Sequence, residues 1–446
     1  MIPPERPPPQ GGAALGDYEP VVGREAIEEI RGLGERLAGI RVVHVNSTKV
    51  GGGVAEILER LVPLLRDSGV DAEWRVISGD EEFFKATKDL HNALHGAPIE
   101  IEREALEHYL RINDRNAGDM EDLGEADIVV VHDPQPAALI RSFPRRRGKW
   151  IWRCHIDLSS PNPRAWDFIK GFVSQYDAAV FHMDRFAKRD LLIRQFIVPP
   201  SIDPLSPKNR ELGAGEVEGI LRGHGIDPGR PLISQIGRFD RLKDPEGVLR
   251  AYRLLKEPEG VVEFGRFLRG GGLIDATKLA SERMDCQLAL AGGLAADDPE
   301  GLEVYESLLR QAAGDGDVHI LMLPHRADLD INAIQRGSAV VLQKSLKEGF
   351  ALTVSEALWK GRPVVGGNAG GIPMQIIDGV NGFLVSSVEE AAARVRFLLK
   401  NPRRAEEMGR AGMEHVKRNF LITRHLRDHL LIYLTLLYIP RKLVQL

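Results

Sequence analysis

Short β-branched runs alternate with helical stretches along most of the 446 residues, and this alternation constrains the fold more than any other feature. The first series has five such runs: Arg41 to Val45, Glu73 to Ile77, Ile128 to Val131, Trp150 to Cys154 and Ala178 to Phe181. The second has six: Pro231 to Ile236, Gln287 to Ala291, Val318 to Leu321, Ala339 to Leu342, Pro363 to Val365 and Gly382 to Val385. Alternating strands and helices predict an α/β fold with parallel sheets covered on both faces. We expect two facing, doubly wound Rossmann-like domains with the reactive site in the cleft between them.

A proline-rich segment separates the two series and predicts a domain boundary near residue 205. Its prolines are Pro199, Pro200, Pro204 and Pro207. The length agrees with two domains, because single hydrophobic cores stop growing at about 250 to 300 residues. We predict an N-terminal domain at residues 21–205 and a C-terminal domain at residues 206–420.

Three segments lie outside this pattern. Residues 1–20 are rich in proline and glycine and predict a loose arm. Residues 258–285 separate a helix from the next strand by more than a normal crossover and predict an insertion. The apolar residues of segment 421–446 predict a last helix that packs back on the N-terminal domain.

Composition excludes several classes of protein. Lys plus Arg total 59 against 64 for Asp plus Glu, so the net charge of -5 offers no basic field and disfavours a nucleic-acid partner. Two cysteines, Cys154 and Cys286, form no disulfide framework and suit a reducing cytoplasm, where we expect the protein. A secretory signal is not predicted, because residues 1–10 carry five prolines and no apolar core. A membrane span is not predicted, because the longest late apolar stretch, Leu430 to Ile439, is ten residues.

Three glycines, Gly51, Gly52 and Gly53, follow the first predicted strand and open a helix. Without side chains, their backbone N–H groups can approach an anion at the helix N-terminus. The sequence therefore favours phosphate or sugar contact here, and a tight strand-to-helix turn is the alternative.

Two cations follow the first strand of the second series. Arg238 comes directly after Gly237, and Lys243 follows five residues later. A guanidinium fork and an ammonium at a strand end suit a diphosphate. A solvated, functionless face is the other interpretation.

Glu348 and Glu356 are separated by seven residues, and we expect a helix to start within Gly349 to Ala351. Free N–H groups there would face a phosphate, while Glu356, about two turns into the helix, would reach ribose hydroxyls. Alternatively, both glutamates only complement the helix dipole.

Polar residues also follow two strands of the first series. His155 and Asp157 follow one strand, and Asp133 and Gln135 follow another, which makes them candidates for binding sugar hydroxyls. A structural role for His155 is the alternative.

The Asp-x-Asp spacings in the second series arise easily among 64 acidic residues, so we predict no metal site.

Together these motifs, with Gly370-Gly371-Ile372-Pro373, resemble the retaining glycosyltransferases of family 4, which implies the GT-B fold. Segments that narrow the resemblance to the trehalose glycosyltransferring synthases are Val45 to Thr48, His132 to Pro136, Arg153 to Asp157 and Pro199 to Pro204. The implied reaction joins a nucleotide-activated glucose, UDP- or ADP-glucose, to free glucose. The departures are the insertion and Met374, where many relatives carry glutamate.

The resemblance implies a role for each candidate. Arg238 and Lys243 would hold the diphosphate, Glu348 the transferred glucose and Glu356 the ribose. His155 would contact the transferred sugar near its 6-hydroxyl. The remaining donor contacts would be Gly52, Gly53, Gly237, Gly349, Phe350, Ala351 and Leu352, with Pro324 and His325 near the nucleobase. The acceptor would contact Asp133, Gln135, His155 and Asp157.

We expect the family's reaction to need no cofactor. The sequence does not decide whether Mg²⁺ serves as a counter-ion of the diphosphate, or whether the protein forms a homodimer. Three alternatives remain: a sugar-phosphate or sucrose synthase, a non-catalytic sugar binder and a phosphorylase. The first would need extra cations, for which Arg153, Arg164 and Arg185 are available.

Overall fold

The computed structural model describes residues 12–49, 52–256, 283–293, 299–324 and 326–439, and the chain divides into two compact units. The first unit comprises the residues up to Asp203 together with those from Asn419 onward. The second unit runs from Pro204 to Arg418. The first unit is therefore discontinuous in sequence, and the second is continuous.

The first unit contains a six-stranded parallel sheet. Its strands are β1 (Arg41–Asn46), β2 (Asp71–Val76), β3 (Ile128–His132), β4 (Lys149–Arg153), β5 (Ala178–Phe181) and β6 (Arg194–Ile197). They lie in the order β2-β1-β3-β4-β5-β6. Its helices are α1 (Glu19–Val22), α2 (Arg24–Glu35), α3 (Gly52–Asp67), α4 (Glu81–Leu94), α5 (Arg103–Asp119), α6 (Pro163–Val173) and α15 (Ile422–Tyr438).

The second unit contains another six-stranded parallel sheet. Its strands are β7 (Leu232–Ile236), β8 (Gln287–Gly292), β9 (Val318–Met322), β10 (Val340–Gln343), β11 (Val364–Gly367) and β12 (Gly382–Val385). The order is β12-β11-β10-β7-β8-β9. Its helices are α7 (Ala214–Gly223), α8 (Pro245–Lys256), α9 (Pro299–Ala312), α10 (Asp328–Gly337), α11 (Leu352–Trp359), α12 (Ile372–Gln375), α13 (Val388–Lys400) and α14 (Pro402–Asn419).

Burial on both faces explains the sequence pattern of the strands. Every residue of β3, β5, β7 and β10 is buried, as expected for parallel strands covered by helices on both sides. Such strands read as continuous β-branched runs instead of an alternation of polar and apolar residues. The prediction of two parallel α/β sheets is confirmed.

Two expectations about the first unit need correction. Residues 15–20 are not a loose arm, because Leu15–Tyr18 form a turn of 3-10 helix with Leu15 and Tyr18 buried, and α1 follows at Glu19. Strand β6 (Arg194–Ile197) was not predicted, since only two of its four residues are apolar and it lies at the sheet edge. Most of the expected insertion at 258–285 lies outside the described residues.

Helix α15 returns the chain to the first unit, where it packs against α2 and α3. Residue Ile202, just before the junction, pairs with Leu421, just before α15, through two backbone hydrogen bonds to Phe420 and Ile422. No helix in the described part of the chain is long and apolar enough to cross a membrane.

Replacing Tyr18 with Phe tests how the N-terminal turn is held. The Tyr18 hydroxyl donates to the buried carboxylate of Asp203 at 2.9 Å, and Arg60 pairs with the same carboxylate at 3.3 Å. Hydrogen bonds to charged groups contribute about 1.5–3 kcal/mol, so Tyr18→Phe should lower the free energy of unfolding by that amount in chemical denaturation. Tyr438→Phe is the control, because Tyr438 is 59% exposed, and it should have little effect. Equal stabilities of the two variants would contradict this.

Candidate active site

The order of the second sheet brings the donor candidates together. Strand β7 lies beside β10, although two strands separate them in sequence, so the chain turns to opposite sides of this pair. In open parallel sheets, ligands bind at such a switch point, beyond the carboxyl ends of the strands. Arg238 and Lys243 follow β7, and Glu348 follows β10.

Lys243 and Glu348 form an ion pair across this point. Lys243 ends a short 3-10 turn, Arg241–Lys243. The side chain of its N-cap residue, Asp240, accepts a hydrogen bond from the Leu242 N–H at 2.7 Å. The Lys243 ammonium contacts the Glu348 carboxylate, and the Ser345 hydroxyl donates to the same carboxylate oxygen at 3.3 Å. Sequence spacing alone did not identify Ser345.

A second, more deeply buried ion pair connects the loop after β7 to the loop after β10. Lys344 contacts Asp244, and each side chain is about nine-tenths buried. Asp244 has a left-handed φ of 52° and accepts a hydrogen bond from the Gly247 N–H at 3.1 Å. The Leu346 N–H also donates to the Leu242 carbonyl at 2.8 Å. The turn carrying Lys243 is thereby fixed against the loop carrying Glu348.

Arg238 differs from Lys243 in its surroundings. Its side chain is exposed, and none of the residues that the structure describes forms an ion pair or hydrogen bond with its guanidinium. A Cβ atom added to the neighbouring Gly237 would meet only the Lys243 side chain, at 4.0 Å. The fold therefore does not require glycine at this position, and space above the strand end is open.

The helix after Glu348 begins later than predicted. It starts at Leu352, and Ala351 precedes it with a left-handed φ of 68°. The first N–H groups of a helix lack intrahelical acceptors, so the available donors belong to α11 itself instead of Gly349 to Ala351. The expected helix start within 349–351 is wrong because Ala351 turns the backbone.

Gln375 holds this turn from beneath. Its fully buried amide donates to the Phe350 carbonyl at 2.5 Å and to the Ala351 carbonyl at 3.3 Å. Its oxygen accepts from the Ser355 hydroxyl at 2.6 Å. Sequence reasoning missed Gln375, which lies two residues beyond the Gly370-Gly371-Ile372-Pro373 motif that pointed to this region.

Glu356 lies within α11 and is only 2% exposed. Lys208 approaches its carboxylate at 3.8 Å. Pro324 is exposed beyond the end of β9, whereas His325 lies outside the described residues. Gly52 and Gly53 form the first residues of α3, beyond the end of β1, and Gly51 is outside the described residues.

In the first unit, Asp133 is held in an unusual backbone conformation just after β3. Its φ is 64°, and its carboxylate accepts a hydrogen bond from the His155 N–H at 2.7 Å. Burial raises the pKa of Asp133 to about 7, although the His155 N–H and Arg153 oppose the shift. This carboxyl group therefore changes charge near neutral pH.

The other acceptor candidates lie at the same edge of the first sheet. The Gln135 side-chain oxygen is buried and has no hydrogen-bond partner among the described residues. The Asp157 carboxylate accepts from the Ser159 N–H at 2.9 Å, which forms a local turn. A sugar hydroxyl could donate to either group.

His155 is partly exposed, but both of its ring nitrogens contact other histidines. Its Nε2 lies 3.0 Å from Nδ1 of His132, and its Nδ1 lies 3.1 Å from Nε2 of His182. The sequence does contain a signal for this cluster, because three adjacent strands, β3, β4 and β5, each end at or near a histidine.

Arg153 is not available to a phosphate on the acceptor. It is fully buried and donates to the carbonyls of Phe181 and Val198 at 3.4 and 2.6 Å. Burial lowers its pKa to about 9. Arg164 instead pairs with Glu100 on the surface at 2.5 Å. Among the described residues, no group of three or more histidine, cysteine or acidic side chains could hold a metal ion.

Comparison with known proteins agrees with this architecture. The family description "Trehalose synthase, N-terminal domain" matches residues 44–188, and "Glycosyl transferases group 1" matches residues 217–415. A trehalose synthase of Thermococcus litoralis is 45% identical over 422 residues, covering 94% of this chain and 96% of that protein. One of Rubrobacter xylanophilus is 44% identical over 433 residues, covering 96% and 98%.

A solved structure with the same fold is the trehalose-6-phosphate synthase from E. coli bound with UDP-2-fluoro glucose. Its TM-score is 0.64 at 15% sequence identity, and the match covers 88% of this chain and 98% of that one. The two parallel sheets and this likeness define the GT-B fold, and the match to the group 1 glycosyl transferases makes the class a glycosyltransferase. The trehalose synthases that match over most of the chain narrow this class further. The chain belongs to the trehalose synthase family and is a trehalose-related glycosyltransferase.

Gly370→Ala should disturb the Glu348 loop specifically. Gly370 has a φ of 52°, and a Cβ atom there would overlap the Glu348 carbonyl oxygen. Gly379, with a φ of 72°, has nothing within 4 Å of the same position, so Gly379→Ala is a matched control for backbone strain alone. Overpacking costs about 1–3 kcal/mol, so Gly370→Ala should lower the free energy of unfolding by that much more than Gly379→Ala in urea denaturation. Equal losses would show that the loop tolerates the added atom.

Asp133→Asn should change how stability depends on pH. The unfolded carboxyl loses its proton near pH ~3.9, whereas the folded one keeps its proton up to about 7. The folded state binds more protons in this interval, so raising the pH destabilises the parent protein. The variant lacks this effect, so its stability relative to the parent should rise by about 1.4 kcal/mol per pH unit between pH ~4 and ~7.

Asparagine tolerates a left-handed φ and can still accept from the His155 N–H, so the local geometry is retained. The two proteins should be compared at each pH by chemical denaturation, because other groups affect both equally. Parallel curves would mean that Asp133 titrates normally.

Proposed function

We propose that this protein is a retaining glucosyltransferase that makes trehalose and a nucleoside diphosphate from UDP- or ADP-glucose and free glucose. The observation that carries the proposal is Arg238, which lies beside Lys243 at the switch point of the second sheet and has no ion-pair or hydrogen-bond partner among the described residues. An exposed guanidinium with open space before it suits a diphosphate. Membership of the trehalose synthase family supports trehalose as the product.

The donor would bind through charge. Arg238 and Lys243 would hold the diphosphate, with the first N–H groups of α11 facing the same phosphate. Because Lys243 already contacts Glu348, an incoming phosphate would share the ammonium and leave the carboxylate to accept hydroxyls of the transferred glucose. Glu356 would bind the ribose, and the Lys208 ammonium lies 3.8 Å from its carboxylate.

The acceptor would bind to the first unit, where Asp133, Gln135 and Asp157 present oxygen atoms to hydroxyl groups. Free glucose is favoured over a sugar phosphate because, of the three candidate cations, Arg153 is buried among carbonyls, Arg164 is paired on the surface and Arg185 lies over the Phe186 ring at 5.4 Å. His155 would contact the transferred sugar near its 6-hydroxyl.

The chemistry would rest on stabilising the leaving diphosphate. Fixed positive groups aimed at developing charge supply the largest catalytic effect in many enzymes. Attack by the acceptor hydroxyl on the face that the diphosphate leaves would keep the anomeric configuration. Its proton would pass to the departing phosphate oxygen, so no carboxylate nucleophile is required. Mg²⁺ would serve, if at all, as a counter-ion of the diphosphate.

The test is to incubate the protein with UDP-glucose or ADP-glucose plus glucose, and to measure released diphosphate and the mass and linkage of the disaccharide. Parallel reactions contain glucose 6-phosphate as acceptor, maltose without nucleotide, and trehalose with inorganic phosphate. Trehalose formed only with nucleotide-sugar and glucose supports the proposal. Trehalose from maltose alone would replace it with an isomerase, and no turnover with stable sugar binding would replace it with a sugar binder.

Arg238→Ala should lower kcat by about 100-fold or more, since losing one group that stabilises developing charge costs this much. Glu348→Gln should also lose activity. Arg241→Ala is the control, because this neighbouring cation is 67% exposed and pairs with Glu303 at 3.2 Å. It should retain activity within about twofold, as exposed ion pairs contribute little. Similar losses in Arg238→Ala and Arg241→Ala would remove the specific role of Arg238.

A further inference from the structure

Four histidines that lie in strands of the first sheet or just after them form a row of hydrogen-bonded rings. Nε2 of His182 lies 3.1 Å from Nδ1 of His155, whose Nε2 lies 3.0 Å from Nδ1 of His132. Nε2 of His132 in turn lies 2.9 Å from Nδ1 of His44. Each ring therefore contacts the next through the same pair of atoms.

Helix α15 continues this row. Nε2 of His44 lies 3.1 Å from the Tyr433 hydroxyl, which lies 3.2 Å from Nδ1 of His429. Nε2 of His429 lies 3.1 Å from Nε2 of His425, and Nδ1 of His425 lies 3.1 Å from the Pro199 carbonyl oxygen. We call the six histidines and Tyr433 the histidine chain.

The histidine chain is buried and neutral. His44, His132, His182, His425 and His429 are at most 3% exposed, and only His155 keeps a partly exposed edge. Burial is the main cause that lowers the pKa of all six below the ordinary value, for His44 to about 3. A neutral imidazole has one N–H group and one acceptor nitrogen.

The Pro199 carbonyl then fixes the proton at one end. A carbonyl oxygen only accepts, so Nδ1 of His425 carries the proton and Nε2 of His425 accepts. Nε2 of His429 must donate to it, which leaves Nδ1 of His429 to accept from the Tyr433 hydroxyl. The hydroxyl oxygen accepts in turn from Nε2–H of His44.

The same rule applies to each following ring. Nδ1 of His44 accepts, so Nε2 of His132 donates, and the argument repeats for His155 and His182. All hydrogen bonds of the histidine chain form only when each group donates to the next one, in the order from His182 to the Pro199 carbonyl. The opposite direction would require a proton on a carbonyl oxygen.

We propose that Tyr433 and the α15 histidines are positioning residues that set the tautomer of His155, with its proton on Nε2 and its lone pair on Nδ1. This proposal rests on the proposed function, in which His155 contacts the transferred sugar of the donor. A ring whose two nitrogens are both engaged holds its orientation and does not exchange protons with the sugar. His155 would therefore shape the sugar subsite without acting as an acid or base.

The test reads the tautomers directly by ¹⁵N NMR of the full chain labelled at histidine, at pH ~7.5 and without substrate. The His155 signals are assigned with His155→Gln. We expect a protonated Nε2 and an unprotonated Nδ1 for His155, and the reverse for His425. A His155 ring with its proton on Nδ1 would overturn the proposal, whatever the protein's activity.

Tyr433→Phe removes the hydroxyl that links the four histidines of the sheet to the two histidines of α15. The fraction of His155 with its proton on Nε2 should then fall, because the sheet histidines no longer connect to the Pro199 carbonyl. Tyr176→Phe is the matched control: Tyr176 is also buried, donates to the Ala137 carbonyl at 2.9 Å and lies outside the histidine chain, so it should leave the tautomer unchanged. An unaltered tautomer in folded Tyr433→Phe would also overturn the proposal.

The proposed function fails separately, through absent trehalose synthesis by a protein whose tautomers are as expected. If both proposals hold, Tyr433→Phe should raise the KM for the nucleotide-sugar several-fold more than Tyr176→Phe does. It should not move the pH profile of kcat, because His155 exchanges no proton in the reaction. A shifted profile would contradict the positioning role.

Discussion

Parallel pairing between strands that are distant in sequence is the constraint on which both units depend. In the first sheet β1 pairs with β3, and in the second β7 pairs with β10. At each pair the chain departs to opposite sides, so the following loops diverge and leave polar groups accessible. Backbone topology thus places the candidate residues before any side chain contributes. Ion pairs and hydrogen bonds then fix their orientation, as Lys344 and Gln375 do in the second unit.

The two units differ in the charge of the groups at the edges of their sheets. The second presents full charges at its sheet edge, and the buried Asp244–Lys344 pair holds the turn that carries Lys243. The first unit presents neutral groups at the corresponding place: burial lowers the pKa of the six histidines of the histidine chain below the ordinary value and raises the pKa of Asp133 to about 7. Charges suit a diphosphate, whereas neutral hydrogen-bonding groups suit sugar hydroxyls, which carry no charge to offset the cost of desolvation.

The sequence predicts strands well because buried parallel strands are continuous apolar runs, which local composition reveals. It fails at β6, where Arg194–Ile197 pairs on one side only and carries polar residues. The start of α11 is displaced because Ala351 adopts a backbone conformation that favours glycine, which composition does not indicate. Residues that end strands could be named in advance, since topology alone brings them to one edge. Supporting residues such as Gln375 could not, because their roles depend on packing between distant segments.

The return of α15 to the first unit determines the order in which a nascent chain completes its structure. Residues 204–418 form one continuous unit and are available together as synthesis proceeds. The first unit begins earlier but lacks α15 until residues 422–438 have emerged. Until then His44 has no Tyr433 hydroxyl, and the surfaces of α2 and α3 that α15 covers stay in water. The unit translated first is therefore the last to be finished, and a ribosome that stops before residue 422 releases a first unit with an open apolar face.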